Sequence, residues 1–226
     1  MSKRVPRVTD APAFVLQSTA WRETSLIVKV FAHHHGVVTL VAKGAKRPYS
    51  GLRAVLMPFQ PLMLSWTGAA EVKTLTHAEV VRVRPLAGSV LMSCWYMNEL
   101  LLRLLAAEDP HPGLYLAYEQ AIDALADGKT NDKTNGQGSG QTTAAVLREF
   151  EWRMLQETGY GLEGPAPDFA DRAQGGDLKE QFQQRLLEHV PGGRLNSREV
   201  MLSLRRLMID APQGPVNISS LGTLTD

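Results

Sequence analysis

The stretch LIVKVFAHHHGVVTLVA, residues 26–42, sets two runs rich in β-branched residues, 26–31 and 37–42, on either side of a histidine turn closed by Gly36. Short runs of Val, Ile and Phe bounded by turn residues read as strands, and two of them joined by a few residues ending in glycine read as a hairpin. Working outward, residues 14–18, 62–66 and 71–75 have the same character, with Gly68 marking a second sharp turn. Five short strands are too few for a large sandwich, and closing them into a small barrel removes their exposed edges. The expected class is therefore α+β: a five-stranded OB-like β-barrel over residues 1–84, followed by a mostly α-helical domain over residues 85–226.

Beyond Pro85 the hydrophobic period changes. Leu114, Tyr118, Ala121, Ile122 and Leu125 recur at helical spacing, as do Val146, Phe150 and Met154, and then Phe182, Leu186 and Val190. In residues 90–105 the apolar positions run nearly all the way round, which predicts a central helix, with Glu99 and Arg103 paired at i,i+4. Asn196 and Glu199 have the spacing of a capping box before a last helix that should end ahead of Pro212. Residues 128–141, GKTNDKTNGQGSGQ, have no apolar anchor and are expected to be a flexible polar insert. Residues 159–177, rich in Gly, Pro and Asp, predict an irregular connection.

The net charge of +1 hides a segregation. Residues 1–86 carry twelve Lys and Arg against four Asp and Glu, a balance of +8; residues 87–226 carry twelve against nineteen, a balance of −7. A concentrated positive field is a statement about polyanionic partners, nucleic acid or an anionic surface. The lone Cys94 allows no internal disulfide and no cysteine-rich zinc site, so a cytoplasmic setting is expected. The first ten residues show no apolar core of a secretory signal, and residues 90–105 fall short of the roughly 20 apolar residues of a membrane span.

The loop VAKGAKRPYSGLR, residues 41–53, is the strongest candidate site. Lys43, Lys46, Arg47 and Arg53 can follow a phosphate chain, Gly44 and Gly51 permit close approach, and Tyr49 offers a flat face for a base. The alternative is an ordinary solvated basic loop. Arg4, Arg7, Arg22, Lys29, Arg82 and Arg84 are further cations whose placement the sequence leaves open. His33, His34 and His35 are expected to diverge on a hairpin tip instead of converging on a metal. Cys94, among Leu91 and Trp95, reads as a buried small hydrophobe. Gly159, Gly161 and Gly164 match G-x-G-x-x-G by chance, since a helix precedes them and Pro165 follows. No catalytic dyad, cofactor site or metal site stands out, and Asp10 and Glu23 are the only acids before Glu71. Arg148 and Arg103 admit two readings: internal ion pairs with Glu151 and Glu99, or planar forks offered to a carboxylate on an otherwise apolar surface.

Taken together, residues 22–31 (RETSLIVKVF), 36–46 (GVVTLVAKGAK), 55–62 (VLMPFQPL), 68–75, 96–105 (YMNELLLRLL) and 147–160 (LREFEWRMLQETGY) resemble the recombination mediator family RecO. The resemblance implies an OB-fold followed by a helical domain without an active site. It implies binding of single- and double-stranded DNA, strand annealing, and help for RecA loading together with RecR. It places the family's basic DNA-binding loop at Lys43, Lys46 and Arg47. It also implies a helical domain that receives the acidic, phenylalanine-ending tail of single-stranded DNA-binding protein (SSB), with Arg148 in the matching LR-x-FE segment and Arg103 nearby. Many relatives carry a four-cysteine zinc site where residues 159–176 stand; this chain has no cysteine there, and no zinc is expected. The competing function class is a protein-interaction adaptor whose basic half binds an acidic protein.

Overall fold

The computed structural model describes residues 5–127, 142–171, 173–200 and 203. The β-branched runs form β1 (Arg7–Trp21), β2 (Ser25–Ala32), β3 (Gly36–Ala42), β4 (Pro61–Thr67) and β5 (Val72–Val80), with a one-turn helix α1 (Leu52–Val55) between β3 and β4. They close into a barrel in the order β1-β2-β3-β5-β4, with β4 returning to β1. Every neighbouring pair is antiparallel except β3 and β5. The expected OB-like barrel is present, with longer strands. β1 starts at Arg7 and β5 runs on to Val80, because pairing with β4 (Arg7↔Thr67, Leu62↔Val80) makes strands of segments too polar to stand out as apolar runs.

β1 serves two partners, β4 along residues 7–14 and β2 along residues 13–21. Register shifts between Val8 and Ala11 and between Val15 and Gln17 let it curl from one to the other, since a bulge bends a strand and increases its twist. Asp10 takes φ 50° at the first shift, where its N–H donates to Ser65 Oγ at 3.0 Å. The pairing with β4 stops at Phe14↔Pro61, so residues 17–21 form an arm along the edge of the barrel, hydrogen-bonded only to β2, whose residues 26–29 pair on with β3. Every residue of that arm is exposed.

The helices are α2 (Gly88–Leu104), α3 (Pro112–Ala126), α4 (Thr143–Glu157) and α5 (Gly175–His189). Alternation along β1 divides the core in two. Ala13 and Val15 join Val28, Val30, Leu40, Leu62, Leu64 and Trp66 inside the barrel, while Phe14 and Leu16 face outward into the helical core. There Phe14 and Phe31 meet Tyr115 and Tyr118, with ring centroids 5.1–6.3 Å apart. Buried Asn98 of α2 joins the two halves: its Nδ2 donates to the Leu16 carbonyl at 2.9 Å, and the Tyr118 hydroxyl donates to its Oδ1 at 2.6 Å.

A second junction lies at the other end of the hairpin. Glu108 donates its N–H to the Val37 carbonyl at 2.9 Å and its carboxylate pairs with Lys73, which lays the α2–α3 connection across the β2–β3 turn. Gly36, at φ 65°, sits beneath it, and a Cβ there would run into the Asp109 carbonyl. The histidines follow this packing: His33 and His35 turn to different partners, but they are packed instead of standing exposed on a hairpin tip. His33 lies against Tyr115 (4.8 Å) and His34 (4.1 Å), while His35 meets the edge of Trp66 (5.2 Å). Burial, with His34 adjoining, holds both His33 and His35 below the ordinary histidine value.

Residues 196–200 are helical, as their spacing suggests, but the capping group comes from elsewhere. Glu99 of α2 accepts from Asn196 N (2.8 Å), Ser197 N (2.8 Å) and Ser197 Oγ (2.7 Å), doing for this helix start what Asn196 and Glu199 were expected to do. The expected continuation through Met201, Leu204 and Leu207, and the insert at 128–141, lie outside the described residues. The described residues between α4 and α5 are irregular up to Gln174, and α5 begins at Gly175, inside the stretch to 177 expected to be irregular. Among the described residues no helix is long and apolar enough to cross a membrane.

Candidate nucleic-acid interface

β3 runs directly into the basic loop, which folds through successive turns: Arg47 N to Gly44 O at 3.0 Å, then Ser50 N to Arg47 O at 3.1 Å. Gly44 (φ 74°) supplies the left-handed backbone that the first turn requires, and Tyr49 (φ 66°) adopts it too. The loop is fastened to the β1–β2 turn through Lys46, whose N–H donates to Thr24 O at 2.9 Å and whose Nζ donates to Arg22 O at 3.3 Å. Arg22 thus shares a surface with a loop some twenty residues further along the chain. Arg22, Lys43, Arg47 and Arg53 are exposed and Lys46 is half-buried.

None of these five cations forms a salt bridge with a described residue. The cations at the far side of the barrel do. Arg82 pairs with Asp123 (2.8 Å), and Arg84, only 4% exposed, pairs with Glu119 (3.2 Å) and Asp123 (2.6 Å) on α3. Part of the excess charge of residues 1–86 is therefore neutralised against the helical half, and the cations without a salt bridge to a described residue include those of the loop and the β1–β2 turn. Arg7 is exposed beside Thr67 of β4, Lys29 is exposed on β2, and Arg4 lies outside the described residues.

Two aromatics flank these cations. Tyr49 is fully exposed, as the sequence suggested. Trp21 was not singled out there, yet it ends the arm 45% exposed with the Arg22 guanidinium 5.8 Å from its ring centroid. The available signal was a large aromatic closing a polar stretch, QSTAW, immediately before a cation. Glu23 is the only acid in either turn, and among the described residues no cluster of His, Cys, Asp and Glu could hold a metal ion. The surface offers cations and flat faces, the complement of a phosphate chain carrying bases.

Arg148 and Arg103 have different surroundings. Arg148 is buried on α4, its Nη2 donating to Glu151 Oε1 at 2.6 Å and its Nε 2.5 Å from Oε2. The Tyr96 hydroxyl of α2 donates to the same Oε1 at 2.5 Å. Burial pushes the Glu151 carboxyl up to about 7, against the pull of Arg148 and Tyr96. Arg103 is about a third exposed, touches Glu99 (3.3 Å) and donates to the Pro191 carbonyl (3.3 Å). It lines an open groove of about 550 Å³ between barrel and helices, with Leu16, Lys29, Trp95, Leu102 and Val200. Cys94 is fully buried, and burial raises its thiol to about 12, which leaves it inert as a nucleophile.

Comparison with known proteins bears on the whole arrangement. The family described as "Recombination protein O N terminal" matches residues 7–84, and "Recombination protein O C terminal" matches residues 88–165. The chain belongs to the RecO family. It is 48% identical over 157 residues to the DNA repair protein RecO of Aromatoleum aromaticum, covering 69% of this chain and 60% of that protein. It is 50% identical over 158 residues to the DNA repair protein RecO of Ralstonia nicotianae, covering 70% of this chain and 54% of that protein. The matched stretch therefore spans between about half and three fifths of these RecO proteins' length. The N-terminal family match takes in the barrel, the arm and the basic loop, and the C-terminal family match ends inside the irregular connection after α4.

Proposed function

We propose that this chain is a non-enzymatic DNA-binding mediator of recombinational repair. In this reading it holds single- and double-stranded DNA by the phosphate backbone, anneals complementary strands, and works on DNA coated by SSB. The observation that carries the reading is the set of five cations free of salt bridges with described residues in the basic loop and the β1–β2 turn fastened to it, Arg22, Lys43, Lys46, Arg47 and Arg53, while Lys73, Arg82 and Arg84 are paired with carboxylates of the helical half. Free cations on a polyanion release condensed counterions, which gives affinity without sequence preference. Neutralised phosphates also repel a second strand less, so annealing needs no nucleotide hydrolysis.

SSB would dock by its acidic, phenylalanine-ending tail. The Arg103 groove suits this chemistry better than Arg148 does: Lys29 and Arg103 stand beside Trp95 and Leu102 at an open surface, whereas the Arg148 fork is buried against Glu151. RecR and RecA enter as the partners of the same pathway, on family grounds alone. The relatives' name, DNA repair protein, supports this assignment.

The test is the triple variant Lys43→Ala/Lys46→Ala/Arg47→Ala. It should bind every DNA sequence more weakly, and the slope of log affinity against log salt should fall by about three times 0.7–0.9 for three lost phosphate contacts. Unchanged affinity and slope would remove this loop from the DNA interface. If acidic peptides displaced single-stranded DNA at physiological salt, the adaptor reading would prevail.

A further inference from the structure

We infer that Trp21, at the tip of the β1–β2 arm, is a base-stacking platform that makes the basic surface bind single strands in preference to duplex. The inference rests on the DNA-binding reading above and adds a specificity-determining residue to it. Three observations point to Trp21. The arm has no packing role to account for its tryptophan: residues 17–21 are all exposed, and Trp21 belongs to neither hydrophobic cluster. Large aromatics are normally buried for their apolar area, as Trp66 and Trp152 are here at 2% and 7% exposure, whereas Trp21 is held 45% open at a strand end with the Arg22 guanidinium over its ring, leaving ring surface that a base could cover.

The second observation is position. The Lys46 ammonium is hydrogen-bonded to the Arg22 carbonyl and its N–H to Thr24, so the turn that follows Trp21 cannot move independently of the cationic loop. Arg22 itself is at φ 51°, a left-handed conformation uncommon for an arginine. The third is symmetry of chemistry. Tyr49 stands fully exposed on the loop and Trp21 on the arm, with Arg22 and Lys46 belonging to the stretch that joins them. A phosphate chain following the cations would carry unpaired bases past both rings.

Stacking explains a preference that charge cannot. Phosphates are common to single and double strands, but only a single strand has base faces free to stack, and stacking is tolerant of base identity. The arrangement therefore recognises an unpaired nucleic-acid strand of any sequence, with duplex held by the cations alone.

The experiment compares Trp21→Ala and Trp21→Phe with the unsubstituted chain, using an oligo-dT strand and a duplex of equal length over a range of salt. Trp21→Ala should bind oligo-dT about five- to tenfold more weakly, at the lower end of what one stacked base supplies because the site is open to water. Its duplex affinity should stay within about twofold and its salt slope should not change, since no cation is removed. Trp21→Phe should recover most of the loss. In a Trp95→Phe background, which removes the other exposed tryptophan, oligo-dT should quench the remaining exposed emission and duplex should not. Equal loss on both DNA forms, or no loss on oligo-dT, overturns the stacking role. The triple lysine–arginine variant separates the two failures. If it loses DNA while Trp21→Ala binds normally, only the stacking inference falls; if it too binds normally, the loop is not the interface at all.

Discussion

Replacing Arg148 by Met tests whether its guanidinium is a structural partner or a ligand-binding group. Its side chain is 7% exposed and that of Glu151 is fully buried, with Tyr96 donating to the same carboxylate. Removing one member of a buried pair strands the other, at a cost of about 3–5 kcal/mol. At about 2–4 °C per kcal/mol for a chain of this size, the melting temperature should fall by roughly 6–20 °C. The loss should also depend on pH. The Glu151 carboxyl, ordinarily near 4.5, lies at about 7 in the fold, so between those values the folded state keeps a proton that the unfolded chain has released. Stability therefore declines as pH rises through that window and levels off once both states are ionised. Without Arg148 the carboxyl moves higher still, the window extends upward, and the variant should be hurt more at pH 8 than at pH 6. Arg148→Met/Glu151→Gln keeps an acceptor for Tyr96, and it should recover most of the stability and lose the added pH dependence. Thermal unfolding followed by circular dichroism at the two pH values decides the matter. If Arg148→Met melts within about 2 °C of the parent at both, yet no longer binds an SSB-tail peptide, the pair is not what holds Arg148 and the ligand role is correct.

Two further outcomes follow from single contacts. Gly36→Ala should destabilise the fold by about 3 kcal/mol or more, because a left-handed φ costs a non-glycine residue about 1–2 kcal/mol and the new Cβ displaces the 108–109 backbone; melting at the parental temperature would show that this segment does not lie on the hairpin. Glu99→Gln should cost about 1–2 kcal/mol at neutral pH, read from the urea midpoint. Burial opposes ionisation of Glu99, but donation from Ser197 and Asn196, with Arg103 beside it, holds the carboxyl below its ordinary 4.5. The parent's contribution is thus present above that value and is lost as pH falls below it, and the Gln variant should lack this acid-side loss.

Much of the architecture was legible because two of its signals are local. The strand runs at 26–31 and 37–42 carry their own periodicity, and so do the helical repeats at 114–125 and 146–154. The Arg148–Glu151 and Glu99–Arg103 pairs were also within reach, since helix geometry alone brings residues three or four apart together. Where local reading failed, a distant segment had overruled it. The capping box at Asn196 gave way to Glu99, some hundred residues earlier in the chain, and the histidine turn packed onto Tyr115 and Trp66 instead of spreading into water.

The chain's residues by themselves determine a small barrel followed by helices and a cationic loop at 43–53, because alternation, helical period and composition are properties of neighbours along the backbone. Which cations remain free is a property of the folded molecule. Arg82 and Arg84 are indistinguishable from Arg22 and Lys43 in a list of charges, and only the docking of α3 against the barrel neutralises the first two while the β1–β2 turn and the loop hold the others in solvent. Trp21 is a comparable case: its exposure follows from the point at which β4 stops pairing with β1, a distance relation between strands that no single stretch of sequence contains.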